Sequence, residues 1–282
     1  MAPTDVVGNA IESSKFGFYQ IYTLLVCWGA LFADGGEMLV ISLISSEMGK
    51  TFKWNKSDTN HYVGLLGSMT FFGFLLGSLG GGKLIDIWGR RLPFVTFNFV
   101  TFVFGLASAF APSFWYLGMC RFITGLGVGG SIPCATAILA EICPNKQRKI
   151  LILTKTIGFV FGEILIGLEA QVILPKGIPT QTWRQLLVVA SLPALVAFFL
   201  SLFFLDESPR FLELNIGFME EQVKKKDDDD GVLSEKIKNM RTQLVDVLKK
   251  IAAKNEWGRS MCCPCFSKPA LLTASEEKDI VS

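Results

Sequence analysis

The chain has 282 residues, of which 50% are hydrophobic and only 18% charged, with a formal net charge of +2. Charged residues make up about 25% of an ordinary soluble domain, so this balance excludes one. A near-neutral chain without a basic stripe is likewise not a nucleic-acid binder held by charge.

Six apolar stretches are long enough to cross a bilayer, for which roughly 20 residues are needed. Residues 1–17 are polar, lack the pattern of a cleaved signal, and are read as a cytoplasmic segment. The first span, about Phe18–Ser45, contains "ADGGEMLVIS", which places Asp34 and Glu37 three residues apart in an oily stretch. A charged side chain at mid-membrane costs roughly 2.5–3.5 kcal/mol on insertion scales, so two acids there call for partners. The following loop carries Lys50, Lys53 and Lys56 and a sequon at Asn55, whose nearness to the bilayer disfavours glycosylation.

The second span, about Tyr62–Gly82, repeats glycine at Gly73, Gly77 and Gly81. Small residues at four-residue spacing let another helix approach closely. That helix is either one of this chain's own or one belonging to a partner. The connection "GGKLIDIWGRR" follows, with Asp86, Arg90 and Arg91. It reads equally as a salt-bridged latch and as a positive loop that sets topology. The third span, about Pro93–Ala111, has no ionisable residue inside.

The fourth span, about Phe114–Ile142, holds Arg121 one turn before a small-residue face at Gly125 and Gly129, then Glu141 at its end and Arg148 just beyond. At 1.5 Å per residue, Glu37 and Arg121 lie roughly 13 and 12 Å deep. Matching depth predicts that they pair, with the Gly125 face bringing the first and fourth helices together. Asp34, one turn deeper, is expected to face a cavity. The fifth span, about Ile150–Leu174, carries Lys155, Glu163 and Glu169. Glu163 sits near mid-membrane and is a further contact for cargo or protons, whereas Lys155 and Glu169 are expected to snorkel to the interfaces. The sixth span, about Gln185–Leu205, ends in "LDESPRFL" with Glu207 and Arg210.

Residues 206–282 form a polar tail. "KKKDDDD" compensates its own charge and reads as a solvated stretch. Leu233, Ile237, Met240, Leu244, Leu248 and Ile251 then repeat at helical spacing, predicting an amphipathic helix. The cysteines of "CCPCF" lack a fourth metal ligand, since the single histidine, His61, lies far away in the chain; no metal site and no cofactor are expected. Lysine and arginine in the short connections favour both termini on the cytoplasmic side.

Several of these motifs occur in order in a known family. "GKLIDIWGRR" resembles the loop signature of the major facilitator superfamily, while "RFITGLGVGG", "AEICPNKQR" and "DESPRFL" resemble companion motifs of its sugar and organic-ion branch. "ADGGEMLVISLI", "FGEIL" and "TWRQLLVVASLPAL" are most similar to the synaptic vesicle glycoprotein 2-related proteins. The resemblance covers about residues 9–213. It implies an all-α membrane protein, the N-terminal six-helix half of that fold followed by a cytoplasmic tail. It also implies an inner-face gating network of Asp86, Arg90, Arg91, Glu141, Arg148, Glu207 and Arg210. Ile87 stands where the family often has a basic residue, which weakens one part of that latch. Proton-coupled sugar porters of the superfamily use a first-span acid and a fourth-span arginine, and Glu37 matches the acid by its spacing to "VIS".

The family has two six-helix halves and its transport path lies between them. This sequence is therefore expected to be a truncated or spliced product, part of a longer protein, or a half that pairs with another half or another copy. Two functions follow. One is secondary transport of a small organic ion or polar solute, driven by a gradient such as protons, since there is no phosphate-binding loop. The other is a non-transporting membrane protein that binds a partner or a full-length relative through the second-span stripe and the tail. An enzyme is not expected, because no nucleophile, base and oxyanion arrangement is present.

Overall fold

The computed structural model describes residues 17–52, 54, 56–174, 179–226 and 231–262, and every element within them is helical. In chain order these are α1 (Phe18–Thr51), α2 (Lys56–Trp88), α3 (Arg91–Ala109), α4 (Phe114–Ile142), α5 (Asn145–Ile173), α6 (Pro179–Phe204), α7 (Pro209–Lys226) and α8 (Gly231–Cys262). Stretches of α1 through α6 are long and apolar enough to cross a membrane. In lipid a backbone must satisfy its own hydrogen bonds, and a helix does so within one segment.

Helix α2 runs further than the glycines suggest. Gly80, Gly81 and Gly82 all lie within it, and the chain reverses only at Gly89, whose φ of 92° is the left-handed conformation that ends α2. The connection to α3 is thus reduced to Gly89 and Arg90. A Cβ at this φ is strained by about 1–2 kcal/mol. Gly89→Ala should therefore lower the thermal unfolding midpoint of the detergent-solubilised protein, and an unchanged midpoint would refute the requirement for glycine.

The residues fall into two compact units. The larger contains Leu24–Ala137 and Ile152–Leu205. Within it α1 and α4 are the most buried spans, whereas α2 and α5 leave wide apolar faces, including Phe71, Phe72, Leu75 and Leu79 on α2 and Phe161, Ile164 and Leu168 on α5. Helices α3 and α6 pack on each other. A hydrophobic core at the end where α1 finishes and α4 begins joins Ile44, Met48, Leu66, Leu117, Trp183 and Leu187. The Trp183 indole N–H closes that end by donating to Thr51 Oγ1 at 3.1 Å. Stacked and edge-on rings of Phe52, Trp54, Tyr62 and Phe114 surround it.

Bare backbone decides how close the helices come. A Cβ on Gly73 would meet the Phe122 carbonyl, one on Gly77 the Leu126 carbonyl, and one on Gly81 the backbone of Gly130 at 3.0 Å. From the other side, Gly125 and Gly129 face the carbonyls of Thr70 and Phe74. The second-span stripe is therefore occupied by this chain's own α4. The Gly125 face correspondingly serves α2 and not, as its place beside Arg121 suggested, α1. The partner of α1 is α5: Gly35 lies against the Phe159 carbonyl, Gly162 against that of Phe32 and Gly158 against that of Trp28.

Of the described residues, the smaller unit comprises Gly17–Thr23, Ile138–Leu151 and those between Asp206 and Cys262. Helix α8 buries Leu244, Val245, Leu248 and Ile251, with Ile237 and Met240 half-buried, so it follows the expected amphipathic spacing. It packs on α7. Arg241 reaches Glu220 at 2.7 Å and Lys250 reaches Asp206 at 2.8 Å. Of "KKKDDDD", the three lysines end α7, while Asp227–Asp230 lie outside the described residues, as do the side chain of Leu233, residues 1–16 and the cysteine cluster beyond Cys262.

Candidate functional site

Arg121 and Glu37 form a salt bridge of 2.7 Å with side chains 1% and 0% exposed. The guanidinium also donates to Ser108 Oγ on α3 at 2.7 Å, so one cation ties α1, α3 and α4 together. Gly105 makes room for the carboxylate, since a Cβ there would stand 2.6 Å from Glu37 Oε1. The centre is not saturated, because Glu37 Oε1 and Arg121 Nε have no hydrogen-bond partner. A buried ion pair with open valences is costly to desolvate, and loss of charge on one partner leaves the other uncompensated.

Asp34 does not stand on an open cavity wall. It is 1% exposed within the bundle, where the Ser131 hydroxyl of α4 donates to its Oδ2 while Oδ1 has no partner. The structure separates the two α1 acids, Glu37 to an arginine and Asp34 to a hydroxyl. Ser131 also lies 2.9 Å from the Val128 carbonyl, so its single proton has two acceptors.

Lys155 departs most from expectation. It does not snorkel but is 4% exposed, its ammonium donating to Thr136 Oγ1 and to the Ile132 carbonyl at 3.3 Å on α4. The α4 segment that holds it, Ile132–Thr136, directly follows Ser131, the partner of Asp34. The sequence carried a signal for this: Lys155 precedes Gly158 and Gly162 by three and seven residues, which places it on the packed face of α5. Ser131 is similarly legible, ten residues after Arg121 and in register with buried Thr124 and Val128. Ser108 carried no such mark. Glu163 is half-buried and bonds to neither group. Glu169 is partly exposed, beside a groove lined by Gly29, Phe32, Leu192, Pro193 and Val196.

The expected gating residues divide between the two units. In the larger unit, Asp86 is 3.9 Å from Arg90 one turn later but its side chain is 77% exposed, a geometry worth little. Arg90 also donates to the Ile85 carbonyl at 3.1 Å, and Arg91 donates to the Leu202 carbonyl of α6 at 2.7 Å. Arg91 thus fastens the start of α3 to the end of α6. In the smaller unit Arg148 donates to the Cys143 carbonyl at 3.4 Å, and Glu207 accepts the Ser208 N–H at 3.1 Å. Glu141 and Arg210 are half-buried there. Among the described residues no cluster of His, Cys, Asp and Glu has metal-binding geometry.

Residues 22–266 match the model of the family described as "Sugar (and other) transporter". The chain belongs to this family. Among curated relatives, the 4-hydroxybenzoate transporter PcaK of Pseudomonas aeruginosa is 32% identical over 202 residues, 72% of this chain and 43% of that protein. The synaptic vesicle 2-related protein of Xenopus laevis is 32% identical over 212 residues, 74% of this chain and 37% of that one. The chain thus spans less than half the length of these relatives. Among solved structures it superposes on the partially occluded inward-open xylose transporter XylE from E. coli with a TM-score of 0.65 at 22% identity, covering 86% of this chain and 61% of the other. A second XylE structure, described as a major facilitator superfamily proton:xylose symporter bound to 6-bromo-6-deoxy-D-glucose, gives 0.65 at 20% identity. These likenesses establish the fold: an integral, multi-pass, all-helical bundle of the sugar and other transporter family.

Proposed function

We propose that this chain is the six-helix half of a secondary transporter that moves a small organic ion or polar solute across a membrane. In this reading Glu37 and Arg121 are its gradient-sensing latch. The observation that carries the reading is the Glu37–Arg121–Ser108 centre, fully buried yet incompletely satisfied. Protonating Glu37 removes the charge that holds Arg121, which frees α4 from α1 and lets the helices rearrange. Asp34 and Glu163 are the further ionisable groups available for cargo or coupling. The inner-face residues Asp86, Arg90, Arg91, Glu141, Arg148, Glu207 and Arg210 are proposed to gate the cytoplasmic side. Both termini and the α7–α8 tail would lie in the cytoplasm, as the lysine and arginine bias indicates. The wide apolar faces of α2 and α5 fit a partner of the same architecture, a second six-helix half or another copy of the chain.

The alternative, a non-transporting protein that docks through the second-span glycine stripe, loses its main support because α4 occupies that stripe. The relatives' names supply probes. We expect proteoliposomes containing the chain to take up labelled 4-hydroxybenzoate or gentisate in response to an imposed pH gradient, and Glu37→Gln to abolish that dependence. Uptake that persists in Glu37→Gln with unchanged pH dependence would remove the latch role. No uptake of any probe would favour the non-transporting reading.

A further inference from the structure

Three helices meet at a second polar centre, of which the transport reading uses only Asp34. Helix α1 supplies Asp34, α4 supplies Ser131, Thr136 and the Ile132 carbonyl, and α5 supplies Lys155. Both charged side chains are nearly inaccessible, at 1% and 4% exposure. Isolated charges do not persist in such surroundings, so each must be compensated from within the bundle. Lys155 has only neutral acceptors in direct contact, and Asp34 has one neutral donor on one oxygen and nothing on the other.

The surrounding charges narrow the assignment. On α1 the neighbouring acid is Glu37, and it is committed to Arg121 at 2.7 Å. The other titratable α1 group near Lys155 is Cys27, a buried free thiol that apolar surroundings keep neutral, so it supplies no anion. On α4 the atoms around the centre are hydroxyls and a carbonyl. Lys155 is thereby left as the cation for Asp34 and Asp34 as the anion for Lys155. Their link passes through α4 beside Pro133, which lacks the N–H that would tie it into the helix ladder.

We infer that Lys155 is the counter-charge of Asp34. Together they form a second compensated centre in which the α1 carboxylate decides how firmly α5 is held against the Ile132–Thr136 segment of α4. Ser131 suits this role because its proton serves either of two acceptors. It donates to Asp34 when the acid is ionised; when the acid is neutral it accepts a hydrogen bond from the Asp34 hydroxyl and donates its own to the Val128 carbonyl. Every state of Asp34 keeps its bond to α4, while only the ionised state compensates Lys155. Lys155 is thus a positioning residue that acts through Asp34.

The test does not measure transport, so its failure leaves the proposed function standing, and the reverse also holds. Thermal unfolding of the full chain in detergent is compared for the parent, Lys155→Met, Asp34→Asn and the double variant. Lys155→Met strands the Asp34 charge and should lower the midpoint sharply, or prevent recovery of folded protein. Adding Asp34→Asn should restore most of that loss, and Lys155→Arg should retain most of the parent's stability. A purely structural lysine, valued for its bonds to Thr136 and Ile132 alone, predicts no rescue. A double variant as damaged as Lys155→Met, or a Lys155→Met midpoint equal to the parent's, overturns the inference.

Discussion

Arg121→Met should be among the most damaging single substitutions in this protein. It removes the ion-pair partner of a carboxylate that is 0% exposed, and breaking one side of a buried pair costs about 3–5 kcal/mol. The Ser108 hydroxyl loses its cationic donor at the same time. Combining Arg121→Met with Glu37→Gln removes the stranded charge and should recover most of the loss, because a neutral amide costs far less to bury than an unpaired carboxylate. Thermal unfolding of the four proteins of this cycle, followed by tryptophan fluorescence, checks both statements. If Arg121→Met unfolds at the parent's temperature, the pair contributes nothing to the fold. If the double variant is no better than Arg121→Met alone, the damage lies in packing and not in charge.

Gly77→Ala should destabilise the bundle by roughly 1–3 kcal/mol, and Gly77→Val by more, because the new Cβ is placed directly on the Leu126 backbone carbonyl. A backbone atom cannot turn aside as a side chain would, so α2 and α4 must separate along the whole Gly73–Gly129 seam. Gly67 on the same helix is the control. A Cβ there meets nothing within 4 Å, and replacing glycine with alanine inside an open helix gains up to about 1 kcal/mol. The sign of the effect is therefore expected to reverse between two glycines ten residues apart. Equal responses at Gly67 and Gly77 would mean that the seam is not closely packed.

These two expectations differ in how much of them the sequence contained. The spans, the stripe of glycines and the pairing of Glu37 with Arg121 were legible because membranes restrict the options. Apolar length gives the spans, and matching depth on antiparallel helices brings the two charges to one level. The bilayer acts on every residue alike, so these rules need no knowledge of which helix lies beside which. Helix adjacency is a different matter. Nothing in the spacing of Gly125 says whether it faces α1 or α2, and its nearness to Arg121 suggested the wrong one. The seam of α1 on α5 went unread although Gly158 and Gly162 stand four residues apart, because that spacing marks a close contact without saying which helix fills it, and α1 answers it with Gly35 alone.

The same limit governs the charged side chains. The residue types alone settled that this is a six-span helical membrane protein, that Asp34 and Glu37 need polar partners, and that Glu37 has an arginine at its depth. Tertiary structure alone decided that Lys155 bonds to the Ile132–Thr136 segment of α4, that Ser108 completes the Arg121 cluster, and that α4 already fills the α2 stripe. The physical reason is that depth is a property of one helix and can be counted along the chain. Facing is a property of two, fixed only when backbones and side chains compete for the same space.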